Sequence, residues 1–396
     1  MIAPDRLARS GAVWGLALGQ TLGYACLYYV FGALIIAWQA DLGWSKSALA
    51  LGPTVAILIA AVLAPVMGRL VDRGVGAWLL TGGAAFGALA LFTLGRIETQ
   101  AQYLAAWAMI GVAQAACLYE VSFAFLVRRL GPSARAAIVR ITLIAGFAGT
   151  LAFPAGALLS DAFGWRGAVT VAALVMLFIL MPVQGWAVFR LRRDAPVPTV
   201  ESAAADMAAT ATALRRPAFW ALGAALAAIA LDHWLLVQFM VPILVEQGHS
   251  HGFAVGIAAL IGPAQVAGRL LLLTIEKSLS TGRAMLIALA GLFLATGLLI
   301  FAGVAPWLAV VFGIMHGGAI GSMTILRPVV IQAVLGQAGY GAIAGFIQIG
   351  PLLAGAAAPI LGAVLLAGPG IMGVFAFSLF LSGAAFLLVR GLRIVG

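Results

Sequence analysis

Five ionisable side chains stand inside long apolar runs: Glu120 in CLYEVSFAF, Asp232 and His233 in ALGAALAAIALDHWLLVQFMVPILV, Arg269 at the end of GPAQVAGR, and His316 ahead of Gly317 and Gly318. An ionisable group in hydrocarbon costs at least about 2.5–3.5 kcal/mol, so each is a functional candidate by default. A carboxylate removed from water, such as Asp232, suits proton uptake and release. It suits a structural hydrogen bond to a neighbouring helix equally well. His233 is one position along, about 100° around a helix, so both side chains cannot face the same space. A guanidinium such as Arg269 binds a carboxylate through two parallel N–H bonds; close to the end of its run, it could instead reach out to water. Glu120 and Arg140 lie at similar depth in consecutive runs, where they fit either an ion pair or a second proton site beside Asp232. His316, in a glycine-rich stretch, has a donor for a substrate or for a backbone carbonyl. Tyr24, Tyr28, Tyr29 and Tyr119 add hydroxyls and rings nearby.

The elements that position these groups are transmembrane helices. Of 396 residues, 64% are hydrophobic and 9% charged, against about 25% charged in a soluble domain. Roughly 20 apolar residues cross a bilayer as a helix. Such stretches occur at about 12–38, 47–68, 77–95, 103–127, 136–159, 167–189, 217–244, 252–273, 284–302, 307–326, 341–366 and 371–390. They are solid Ala, Leu, Ile, Val and Gly, without the alternation of a membrane barrel. The first is too long for the apolar core of a signal peptide and reads as a retained span. Cys26 and Cys117 both fall inside spans, which gives no disulfide framework.

The net charge of +10 reports orientation and not a nucleic-acid partner. With the N-terminus inside, 18 of the 22 Lys and Arg fall on the cytoplasmic side, which is the positive-inside asymmetry. Both termini are then cytoplasmic, and the expected location is the inner membrane. The longest polar stretch, 190–216, divides six spans (1–189) from six (217–396). An offset of 204 superposes the halves: Tyr103 falls on Trp307, Gly167 on Ile371, Asp72-Arg73 on Glu276-Lys277, and Tyr28 on Asp232. Parallel repeats of this kind place a binding site near the midplane between them.

GRLVDRGVGAW at 68–78 resembles the Gly-x-x-x-Asp-Arg-x-Gly loop of the major facilitator superfamily, without the family's trailing basic pair. DLGWSKS after span 1 and FGWRGA before span 6 also resemble that family, which the whole chain matches in span count and loop positions. The resemblance implies an all-α membrane protein of twelve transmembrane helices in two pseudo-symmetric six-helix bundles. Spans 1, 4, 7 and 10 would line the cavity, and 3, 6, 9 and 12 would face outward with no ionisable interior residue. It also implies a conformational latch of Asp72 and Arg73 with Arg128 and Arg129. Monocarboxylate and oxalate/formate transporters are similar in carrying an arginine in span 8, the place of Arg269; where the monocarboxylate branch has an aspartate four residues earlier, this chain has Gln265. GFAGTLAFPAG at 146–156 partly resembles the signature of drug/proton antiporters, and reads as a kinked, closely packed helix.

The sequence therefore predicts a monomeric, proton-linked transporter of a small organic anion, without a cofactor. Arg269, Gln265, Tyr28 and His316 form the expected substrate site, Asp232 and Glu120 the proton sites. A proton-driven exporter of amphipathic or cationic compounds is the competing expectation. No HExxH, GxSxG or Walker A sequence supports an enzyme or an ATP-driven pump.

Overall fold

The computed structural model describes residues 4–194, 200–275, 279–392 and 394. After a single turn, α1 (Pro4–Leu7), span 1 comes in two pieces, α2 (Gly11–Leu27) and α3 (Val30–Leu42). Spans 2 and 3 are α4 (Lys46–Asp72) and α5 (Gly76–Leu94), and span 4 is again in two pieces, α6 (Gln100–Cys117) and α7 (Tyr119–Leu130). Spans 5 and 6 run through α8 (Ala134–Ala145), α9 (Ala148–Val175), a π turn over Met176–Leu180, and α10 (Met181–Asp194). The central linker contains α11 (Val200–Arg215). Spans 7 to 12 are α12 (Pro217–Glu246), α13 (His251–Ile275), α14 (Thr281–Ile300), α15 (Trp307–Leu335), α16 (Tyr340–Ala367) and α17 (Gly370–Arg390).

Among the described residues eleven helical stretches are long and apolar enough to cross a membrane, and one of them, Ala134–Asp194, has 61 residues. At 1.5 Å per residue it would measure about 90 Å, far more than one crossing. It turns at Gly164, whose φ of 68° is closed to most side chains. The chain thus makes twelve crossings. Short polar caps start several of them: Ser45 accepts from the Ala48 N–H, Ser280 from Arg283, and Thr99 forms a capping box with Gln102.

The described residues divide into two compact units, Met1–Ala211 with Gln337–Phe346, and Thr212–Gly336 with Ile347–Gly396. The first turns of α16 thus belong to the first unit and its remainder to the second. The first unit is built on aromatic side chains. Trp38 meets Tyr103, Trp107 and Trp165 edge-on at centroid distances of 6.0, 6.3 and 6.2 Å, and the Tyr103 hydroxyl donates to the Leu49 carbonyl at 2.6 Å. The second unit is packed mainly by aliphatic chains, among them Leu235, Leu236, Met240, Ile243 and Ile257, around Phe312 and Phe375. Large apolar side chains such as Ile36, Val62 and Val304 point outward, as a lipid-facing surface requires.

Two motifs 124 residues apart meet in the first unit. Asp41 of DLGWSKS accepts from the Trp165 indole at 2.7 Å and from Arg166 at 2.6 Å, both in FGWRGA. The stretch 146–156 is kinked and closely packed, as its glycines and proline predict. The helix breaks at Gly146–Phe147, Pro154 lies inside α9, and a Cβ on Gly156 would press on Ala33 of α3.

Candidate functional site

Asp232 is fully buried in the middle of α12. Its Oδ1 accepts from the Ser378 hydroxyl of α17, and the Ser378 Oγ lies 3.0 Å from the Thr296 Oγ1 of α14. One turn on, Ser382 donates to the Ser378 carbonyl at 2.9 Å. Oδ2 of Asp232 has no hydrogen-bond partner among the described residues. The carboxyl group is thus embedded among spans 7, 9 and 12. His233, the next residue, turns to α15, where its Nδ1 lies 3.1 Å from the His316 Nε2 and the rings stack at 5.4 Å. One imidazole donates and the other accepts. His316 is fully buried against Phe312, and its Nδ1 has no partner among the described residues. Adjacent residues on one helix thus serve different neighbours, as their 100° separation demands.

Arg269 is 6% exposed, so its guanidinium is not extended into water. Its Nε donates to the Thr324 hydroxyl of α15 at 3.2 Å. Gln265, four residues earlier on α13, is on the same side of the helix and half-buried. The two helices approach at backbone distance: a Cβ on Gly268 would overlap the Gly318 carbonyl, and one on Gly321 the Gln265 carbonyl. Small residues at such crossings let transmembrane helices touch without side chains between them. Three residues beyond Thr324, Arg327 donates to the Gln348 side chain of α16 at 2.7 Å.

In the first unit the polar groups serve broken helices. Span 1 breaks at Tyr28–Tyr29, and the freed Leu27 carbonyl accepts from Gln114 of α6 at 2.8 Å. Span 4 breaks at Leu118, and the Cys117 carbonyl accepts from Gln20 of α2 at 2.8 Å. Gln20 also donates to Gln184 of α10 at 3.1 Å, and Gln184 to the Leu80 carbonyl at 2.8 Å. Tyr28 stands at the first break, its ring edge-on to Tyr24 and Tyr29, and Tyr24 packs on Tyr119 at 4.4 Å. Glu120, half-buried, opens α7 just past the second break. Arg140 donates to the Ala136 carbonyl at 2.7 Å and to the Ala8 carbonyl at 3.3 Å.

Asp72, at the end of α4, is 6% exposed. Its two oxygens accept from the Gly341 N–H at 3.0 Å and the Ala342 N–H at 2.8 Å, the first turn of α16. A helix N-terminus, with unpaired N–H groups and a positive dipole end, is where a carboxylate is best stabilised. Gly68 makes the approach possible, since a Cβ there would overlap the Gly341 carbonyl. Arg128 is 4.0 Å from Asp72 and 2.6 Å from Asp206 of α11, and Asp206 also accepts from the Gly339 N–H at 2.8 Å. Arg129 is buried with its guanidinium over the Phe125 ring, and Arg73 is exposed at the end of α4. The repeat counterpart, Glu276-Lys277, lies outside the described residues.

The family model of the Major Facilitator Superfamily matches residues 16–359. The chain belongs to the major facilitator superfamily. Its structure is similar to the crystal structure of the transporter FucP in the outward conformation, with a TM-score of 0.69 and 14% identity over 95% of this chain and 97% of that one. At that identity the likeness is one of fold. No curated protein sequence matches the chain. As a major facilitator it is a multi-pass secondary transporter working by alternating access, and not an enzyme.

Apart from Gln265 and the tyrosines, the uncharged polar side chains that matter inside the spans were not singled out by their sequence context. Gln20, Gln114 and Gln184 were legible as amides inside apolar runs, where an unsatisfied amide is costly. Ser378 and Thr296 carry no such signal, because a hydroxyl in a span usually bonds its own helix. Asp206 sits in a linker whose composition marks no partner. Arg327 was counted with the cytoplasmic cations, although it lies two turns inside α15.

Proposed function

We propose that this transporter moves a small organic anion, monocarboxylate-like, in symport with a proton across the inner membrane, with both termini cytoplasmic. The observation that carries this reading is Arg269, a guanidinium withdrawn from water between α13 and α15 with its plane oriented by Thr324. A cation in that position favours an anionic cargo, and a planar fork favours a carboxylate. Gln265 and His316 of the same unit are the proposed neighbours of the anion; Tyr28, at the break in span 1, is a separate candidate for substrate contact. Asp232 is the proposed proton carrier, because its carboxyl group has a hydroxyl neighbour and no ion pair among the described residues. Glu120 is the second proton candidate. Asp72, with Arg128 and Asp206, is proposed as the latch that holds the first turn of α16 through part of the cycle, and Arg73 and Arg129 as its flanking charges.

Proteoliposome uptake of labelled organic acids, with and without an imposed pH gradient, tests both parts. Arg269→Lys keeps the charge and loses the fork, and should weaken acid uptake at least tenfold with the fold intact. Wild-type affinity in that variant, or transport of cationic dyes in place of acids by the unmodified protein, overturns the anion reading. Asp232→Asn should abolish gradient-driven accumulation and spare substrate exchange. Accumulation like the wild type would remove Asp232 from coupling.

A further inference from the structure

We infer that the proton site lies inside the second unit, among spans 7, 9 and 12, and that Ser378 and Thr296 form a reversible hydroxyl chain that positions the proton on Asp232. The inference rests on the coupling role proposed for Asp232 and adds two residues and a place. Ser378 of α17 stands between Asp232 and Thr296, touching one through Oδ1 and the other at 3.0 Å. Each hydroxyl has one proton to give and lone pairs to receive. The chain therefore has two complete orientations.

With the carboxylate ionised, Thr296 donates to Ser378 and Ser378 donates to Asp232. With the carboxyl protonated, Asp232 donates to Ser378 and Ser378 donates to Thr296. The two states differ by one proton, bound through a new O–H bond on Asp232; no other covalent bond changes, and water supplies and receives that proton. Hydroxyls suit this task because they rotate. A guanidinium or an ammonium has donors only and would stabilise the ionised state alone.

Two further observations support the assignment. Oδ2 of Asp232, buried and without a donor among the described residues, is tolerated more cheaply on a neutral acid than on an anion. Ser382 bonds the Ser378 carbonyl at 2.9 Å, and so ties down the helix turn that presents the Ser378 hydroxyl. From α17 Ser378 touches Asp232 and Ser382 bonds the Ser378 carbonyl, and from α14 Thr296 touches Ser378. On α15 His316 bonds His233, and Arg327 bonds Gln348. On α13 Arg269 bonds Thr324. The chain thus separates proton binding from anion binding within one unit: the first lies on α12, α14 and α17, the second on α13 and α15.

Ser378 and Thr296 are positioning residues, so the test needs a signal that packing alone would not move. Infrared difference spectra of the purified transporter between acid and alkaline buffer should show a carboxylic C=O band that Asp232→Asn removes. Ser378→Ala should shift that band and reduce gradient-driven accumulation several-fold with substrate exchange retained, and Ser378→Thr, which restores the hydroxyl, should return both. Thr296→Val, nearly the same shape, provides an independent arm should Ser378→Ala fold poorly, and a smaller shift of the same sign is expected. An unshifted band and wild-type accumulation in Ser378→Ala or in Thr296→Val overturn the hydroxyl chain while Asp232 keeps its role. A band that survives Asp232→Asn overturns the parent reading itself.

Discussion

The two units carry buried polarity for opposite purposes. In the first, Gln20, Gln114 and Gln184 repair the backbone where spans 1 and 4 break. In the second, the spans that carry the proposed site residues, α12, α13 and α15, run as single helices of 30, 25 and 29 residues. Their polar side chains Asp232, His233, His316 and Arg269 face one another or hydroxyls. The same contrast separates the two buried aspartates. Asp72 meets two backbone N–H groups and a guanidinium, which offset part of the cost of burying its charge. Asp232 meets a hydroxyl, which donates or accepts as required. The two halves thus share a scaffold, while Gln20, Gln114 and Gln184 of the first bond backbone carbonyls and Asp232, His233 and Arg269 of the second bond side chains.

The largest effect expected concerns what the units share. Spans 2 and 4 approach through Gly111, where a Cβ would come 2.6 Å from the Ala56 carbonyl oxygen, and spans 8 and 10 through Gly321. Gly111→Val and Gly321→Val should each destabilise by about 1–3 kcal/mol or more, because backbone lies opposite and cannot yield. Thermal melts in detergent read this directly, and a tolerated Gly321→Val with a damaging Gly111→Val would mean that the scaffold is not shared.

Next in size is the contrast itself. Gln20→Leu leaves the Cys117 carbonyl without its side-chain donor and should cost about 1–3 kcal/mol. His316→Phe, similar in shape and set beside Phe312, removes the bond to His233, which is only half-buried and can turn to water, so it should cost less than Gln20→Leu and yet lose substrate uptake. Equal losses of stability in the two variants would erase the division between structural and chemical polarity.

The smallest effect expected is at Asp72. Asn offers one acceptor where the carboxylate offers two, and it removes a charge worth about 0.3–1 kcal/mol at a helix N-terminus. Asp72→Asn should therefore shift the conformational equilibrium a few-fold and slow turnover, with substrate affinity unchanged. Spin labels, one in each unit, would record the shift as altered distance populations. An identical distribution would leave Asp72 as a structural cap.

Much of the fold was legible because hydrocarbon is an unforgiving solvent. Long apolar runs, the 204-residue offset and the loop at 68–78 imply twelve spans in a major facilitator fold, and the structure has them. The breaks at Tyr28 and Leu118 were not legible. Neither place has a proline, and a break becomes tolerable only when an amide from another span reaches the freed carbonyl. The meeting of Asp41 with Trp165 and Arg166 was half legible: both motifs stand out, but nothing in the sequence pairs them.

At the site, the sequence by itself determined which groups are ionisable and that Asp232 and His233 lie near the middle of a long apolar run. It also determined that Asp232 and His233 diverge, by helical geometry alone. Which helix each side chain faces was decided by the tertiary structure. Ser378 and Thr296 lie 146 and 64 positions from Asp232, and rotation of three helices about their own axes brings them together. That rotation depends on how glycines and bulky residues interlock across neighbouring helices. An apolar run reads nearly alike on all its faces, so the pattern of hydrophobicity has no information about it.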